Sequence, residues 1–269
     1  MLLSLMGETP REFKRAGGPA WRAVLTGVAF ALALAPASAR AQTDKVYGPT
    51  VHKGEFEVEA RGFFDFDDDP DKDGKQKYKI NIGYAVTDFW WTELVNELQK
   101  EGGDGANLIY EAAELENIFE FREEENGWPA LGLYTAFVIP NKDGKPFELE
   151  WKGLIQKSLG PTRHRFNLAF EWELGRHADE DIQLGYAWQS KWKLWDLFSP
   201  GFEAYGDFGE ISDFKSGDRQ KHQIGPVVWI EHELAENTKI ELLTGYFFGL
   251  TPASADGTYK FQLEFKTHF

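Results

Sequence analysis

The chain reads as an all-β protein, a single antiparallel up-and-down transmembrane β-barrel of about 12 strands that follows a cleavable signal peptide. Three observations predict it. An export signal opens the chain, apolar and polar residues alternate through most of the remainder, and the last strand alternates up to a terminal Phe269. Composition agrees, since 22 Phe, 10 Trp, 9 Tyr and 27 Gly suit many strands joined by tight turns. A mean hydropathy of -0.46 excludes a bundle of membrane helices. With no cysteine there is no disulfide framework, thiolate nucleophile or Cys-ligated metal. A net charge of -15 repels phosphate backbones, so nucleic acid is not an expected partner.

At the N-terminus, Arg11, Lys14, Arg15 and Arg22 precede an apolar run from Ala23 to Ala35 and then Pro36-Ala37-Ser38-Ala39-Arg40-Ala41. This is a charged region, an apolar region and an Ala-x-Ala exit, and the run is short of the roughly 20 residues a spanning helix needs. Residues 1–41 are therefore read as signal peptide and 42–269 as the barrel. Cleavage after Ala41 removes five basic and two acidic residues and leaves 24 basic against 42 acidic, a net charge of -18.

In the mature chain the period is two. Phe56, Val58, Ala60, Phe64 and Phe66 alternate with Glu57, Glu59, Arg61 and Asp65, and Tyr78, Ile80, Ile82 and Tyr84 alternate with Lys77, Lys79 and Asn81. Phe166, Leu168, Phe170, Trp172 and Leu174 likewise oppose Arg163, Arg165, Asn167, Glu171 and Glu173. Because strand side chains point alternately to opposite faces, each segment has one greasy and one charged side. The pattern predicts strands at 54–67, 77–86, 89–100, 108–121, 130–140, 147–156, 163–175, 181–190, 201–210, 221–234, 239–250 and 258–269, punctuated by turn signals such as Asn126-Gly127, Lys142-Asp143-Gly144 and Gly160-Pro161. Lys191 to Pro200 breaks the alternation, and its Trp192, Leu194, Trp195, Leu197 and Phe198 suit a short interfacial turn or helix.

A soluble barrel would hold the greasy face inside, whereas a membrane barrel turns it toward lipid. A narrow interior has no room for so many Phe, Trp, Leu and Ile side chains. Trp90, Trp91, Tyr110, Trp128, Trp188, Trp192, Trp195 and Tyr259 fall next to turns, as an aromatic girdle requires. The outer membrane of a Gram-negative bacterium is the predicted location, with its lipids as surroundings. The last strand places Tyr259, Phe261, Leu263 and Phe265 in phase with Phe269. It resembles the C-terminal signal by which such barrels are handed to the barrel-assembly machinery.

The block from Ile82 to Leu94, with Gly83-Tyr84 and Thr87-Asp88-Phe89-Trp90, and the later Glu114-Leu115-Glu116-Asn117 resemble a family of proteobacterial outer-membrane barrels assigned to phenol meta-cleavage pathways or to transport. The motif match spans roughly 77–121; the chain departs from the family where Phe89 replaces an Arg. The resemblance implies a barrel of this size that passes small solutes.

If the greasy face meets lipid, the lumen carries Glu57, Glu59, Arg61, Glu114, Glu116, Glu150, Arg163, Arg165, Glu171, Glu173 and Glu231, with further carboxylates and lysines beside them. These are the candidate pore-lining and binding residues. Carboxylates outnumber bases, so an open lumen favours small neutral, aromatic or cationic solutes. The same residues also fit a closed structural barrel in which Arg61, Arg163 and Arg165 pair with the glutamates. Metal, cofactor and catalysis are not expected. The stretch Asp69-Pro70-Asp71-Lys72-Asp73-Gly74 starts like a calcium loop but has Ile80 where the closing Glu belongs. His232-Glu233-Leu234-Ala235-Glu236 lacks the second histidine of a zinc protease, and there is no Gly-x-Ser-x-Gly. An outer-membrane enzyme is left as a minor alternative.

Overall fold

The computed structural model describes residues 44–269, so the signal peptide read at 1–41 lies outside the described residues. The strands are β1 (Glu55–Phe66), β2 (Gln76–Ala85), β3 (Trp90–Lys100), β4 (Ile109–Arg122), β5 (Ala130–Pro140), β6 (Phe147–Leu159), β7 (Thr162–Leu174), β8 (Gln183–Trp192), β9 (Phe198–Glu210), β10 (Lys221–Ala235), β11 (Thr238–Gly249) and β12 (Gly257–His268). Each pairs with its sequence neighbours, and β12 closes antiparallel on β1 from Glu55 opposite His268 to Phe66 opposite Gly257. A closed sheet leaves no unpaired edge, which is what a strand protein needs inside lipid.

Local chemistry explains the turns. Asn126 and Gly127 both adopt positive φ, 51° and 81°, and Trp128 N donates to Glu125 O at 2.9 Å. That is the mirror-image two-residue turn for which Asn-Gly is suited, because its twist matches that of the flanking strands. Short turns fall at the end that carries Glu55 and His268, and longer loops at the other. By the asymmetry of outer-membrane barrels, the short-turn end is periplasmic.

The burial pattern is inside out. On neighbouring strands Ile82, Leu94 and Leu115 are 56%, 55% and 50% exposed, while the inward-facing Asn81, Glu93 and Glu116 are almost wholly buried. An apolar belt of that kind runs right round the barrel, and no water-soluble surface carries one. Trp128 and Trp195 stand exposed at the periplasmic rim, and Tyr110, Tyr246 and Tyr259 at the opposite one.

One expectation is narrowed and one corrected. Of the turn or helix expected at Lys191 to Pro200 the structure has the turn: β8 runs on through Trp192, β9 already starts at Phe198, and only a short turn separates them. Trp195 stacks on Phe198 there with ring centroids 4.4 Å apart, so the apolar run that broke the alternation is a rim contact rather than a helix. Trp91 does not join the girdle, because the strand phase turns it inward onto Val51 and Ala85; its neighbour Trp90 keeps an outward place against Phe119.

Candidate functional site

The lumen is the candidate site, and its most telling occupant is the segment before β1. Residues 44–53 form no strand of the sheet. They run from Gly54 at the periplasmic rim up into the barrel, as a strap held on every side. Val51 N donates to Glu120 Oε2 at 2.8 Å near the rim. Deeper in, the Asn167 amide clasps the Tyr47 backbone twice: its Oδ1 accepts from Tyr47 N at 2.8 Å and its Nδ2 donates to Tyr47 O at 2.9 Å. Tyr47 Oη donates to Glu116 Oε2 at 2.9 Å, and the ring lies 4.4 Å from Tyr134 with Lys152 Nζ over both.

Around this strap the charges of β1–β4 and β12 close into a network. Arg61 donates from Nε to Asp44 at 2.8 Å and from Nη2 to Glu116 at 3.3 Å, and it also pairs with Glu59. Lys79 reaches Glu114 at 3.0 Å and Asp44 at 3.2 Å. Lys45 of the strap sits among three carboxylates, Glu59 at 2.6 Å, Glu57 at 3.3 Å and Glu264 at 3.5 Å. Glu57, Glu59 and Glu264 are close enough to share a cation; here that cation is the Lys45 ammonium. Burial opposes the charge of Asp44, but Arg61 and Lys79 outweigh it and hold its carboxyl well below the usual carboxylate range.

The opposite wall carries an apolar patch. Tyr205, Val227, Trp229, Leu243 and Phe247 face inward from β9–β11 and bury Val46 of the strap. The extended strap therefore meets unlike surfaces, with Lys45 on carboxylates and Val46 on aliphatic and aromatic side chains. Cavities are left at both ends: one of about 200 Å³ at the periplasmic side, lined by Thr50, Trp91, Arg163, Arg165 and Gln189 among others, and one of about 150 Å³ under the outer loops by Asp65, Lys72, Lys75 and Lys221. Beside Asp44, at the waist, a space of only about 50 Å³ adjoins Glu150, Lys152 and Glu171.

Of the residues expected to line the lumen, Glu57, Glu59, Arg61, Glu114 and Glu116 meet at the waist, and Glu150 lies against Lys152 at 3.3 Å. Glu231 reaches Lys191 nearer the periplasm. Glu173 sits at the outer rim, where it accepts from Asp179 N at 2.9 Å and shapes a loop. Arg163 and Arg165 face inward, but among the described residues they form no ion pair with a carboxylate. The strand phase fixed where they point, not which wall would face them. Asp44, Lys45, Tyr47, Asn167, Glu203 and Tyr205 were not among the candidates. The strap residues have no period to betray them.

The remaining motifs are accounted for locally. Asp67, Asp69 and Asp73 accept from backbone N–H groups of their own loop, at 2.8–3.2 Å, instead of converging on a cation. The segment His232–Glu236 is strand and turn, not helix. His164 Nδ1 lies 2.8 Å from Ser190 Oγ, but Ser190 is fully buried and His164 has no carboxylate partner among the described residues.

No protein-family model matches the chain, and no curated protein matches it. Among solved structures it is similar to an outer membrane channel from Pseudomonas putida F1, with a TM-score of 0.61 and 11% identity over 85% of this chain and 100% of that one. It is also similar to the NanC porin, with a TM-score of 0.50 and 6% identity over 79% of this chain and 99% of that one. The shared property is the architecture: this chain has the closed twelve-stranded barrel of outer-membrane channel and porin proteins.

Proposed function

We propose that the protein is a narrow, non-enzymatic channel of the Gram-negative outer membrane, passing small neutral, aromatic or cationic solutes by diffusion. One observation carries this reading: a polar, cavity-bearing lumen runs inside an apolar belt, and a strap rather than a packed core fills its waist. A strap held by polar contacts is removable, whereas a strand-filled core is not. The resemblance of Ile82–Leu94 and Glu114–Asn117 to barrels assigned to phenol meta-cleavage pathways or to transport supports the same reading and favours small organic solutes. The exposed Phe269, at the periplasmic end beside Phe56, suits recognition by the barrel-assembly machinery.

Single-channel recording in planar bilayers tests this. Discrete, cation-preferring steps are expected from the full mature chain, with larger steps once residues 44–50 are deleted. Silence from both proteins, each folded as judged by heat-modifiable mobility, would instead establish a closed structural barrel, the reading that the ion-pair network at the waist favours.

A further inference from the structure

The inward-facing cations of the barrel divide into two kinds. Lys45, Arg61, Lys79, Lys191, Lys260 and Lys266 each lie within ion-pair distance of a carboxylate. Among the described residues, Arg163 and Arg165 do not. They stand two residues apart on β7, which puts both on the lumen face about 7 Å apart along the strand, and both line the periplasmic cavity. Arg165 uses its Nε on Gln156 Oε1 at 2.8 Å. Its guanidinium lies against the strap at Gly48, where a Cβ would stand 2.8 Å from it, so a larger residue there would push the guanidinium aside. Arg163 Nε is a buried donor with no acceptor. Leaving such a donor unsatisfied is costly, and the cost is larger for a charged group.

Among the carboxylates of the lumen, Glu241 and Glu264 line the same cavity as Arg165, and Glu203 stands on the same side as they do. Each already holds a lysine: Glu241 with Lys191 at 3.0 Å, Glu264 with Lys266 at 2.6 Å, and Glu203 with Lys260 at 2.8 Å. The cavity thus holds closed pairs on the β9–β12 side, where Lys239 also lines it, and two open guanidiniums on β7. A space of about 200 Å³ separates the two sides, several times the roughly 30 Å³ that one water takes up in the liquid.

We propose that Arg163 and Arg165 form a binding site for a small dicarboxylate in the periplasmic mouth of the barrel, one carboxylate to each guanidinium. Planar guanidinium groups bind carboxylates through paired N–H donors, and two of them on one face of the cavity call for a ligand that carries two carboxylates. The site does not rest on the channel reading, since a barrel that conducts nothing would bind the same ligand.

Calorimetric titration of the full mature barrel in detergent at low salt, with succinate as ligand, tests the site. One saturable site is expected. Arg163→Gln and Arg165→Gln should each weaken it at least tenfold and Arg163→Lys less, while Lys145→Gln on an outer loop leaves it unchanged. The neutral analogue succinamide should not bind. Absence of saturable succinate binding to the wild-type protein would overturn the proposal, as would equal binding of succinamide. So would undiminished binding by the double glutamine variant, once its heat-modifiable mobility shows it folded.

Discussion

The two walls of the lumen solve the same problem by opposite means. From β12 round to β4 the interior is charged, and almost every buried group is held by a partner of opposite sign or by an amide. On β9 to β11 an apolar patch stands among closed pairs such as Glu203 with Lys260, and Val46 simply packs on that patch. Specificity differs accordingly. A buried charge demands its own partner at its own place, because removing one side strands the other in a poorly solvated interior. An apolar wall asks only for shape and volume.

The comparison is broken most severely at Arg61. Arg61→Ala takes the shared guanidinium from Asp44, Glu59 and Glu116, leaving them Lys79, Lys45 and the Tyr47 hydroxyl, and should cost about 3–5 kcal/mol, seen as a lower temperature for the shift in electrophoretic mobility; Arg61→Lys should recover only part, because one ammonium cannot serve three carboxylates in the same fork. On the apolar wall, Leu243→Ala should cost about 2–4 kcal/mol, yet Leu243→Met should cost under about 1.5 kcal/mol, since conserved volume suffices. If Arg61→Lys proves as mild as Leu243→Met, the distinction between the walls fails.

Smaller effects sharpen the same contrast at the strap. Asn167→Ala removes both clasps on the Tyr47 backbone, and at about 1–3 kcal/mol it should leave the barrel folded while raising conductance or its open fraction; an unchanged current with an unchanged melting temperature would show that the strap is held elsewhere. The smallest effect is read in pH. Because the carboxyl of Asp44 is held below its ordinary value by Arg61 and Lys79, it contributes stability above its unfolded pKa of about 3.9 and loses it as pH falls through the lower folded value. The stability difference between wild type and Asp44→Asn should therefore stay constant from about pH 8 to 5 and vanish only below about pH 4. A difference that already fades near neutrality would contradict the pairing.

Much of this architecture was legible in advance because a strand announces itself with a period of two. Glu57, Glu59 and Arg61 could be placed inside, and Val58 outside, from alternation alone. Where both faces are apolar the period is silent: Val227, Val228, Trp229 and Ile230 read as one greasy run, and only the register shows that Val227 and Trp229 are the lumen pair. Trp91 was misplaced for a related reason, since Trp90-Trp91 gives either residue an equal claim to the rim. Partnerships were least legible. The contacts of Lys45 with Glu264 and of Tyr47 with Asn167 join residues more than a hundred positions apart, and neither propensity nor spacing carries that information.

The strap is joined to β1 at Gly54 with no linker between them. In effect it is a ligand tethered to its own receptor, present at an effective concentration in the millimolar range or above whatever the amount of protein. Its individual contacts can thus be modest while it remains seated nearly all the time. A free peptide of the same sequence would have to reach comparable concentrations to refill a barrel from which the strap had been removed, and anything that draws the strap out competes with geometry more than with bond strength.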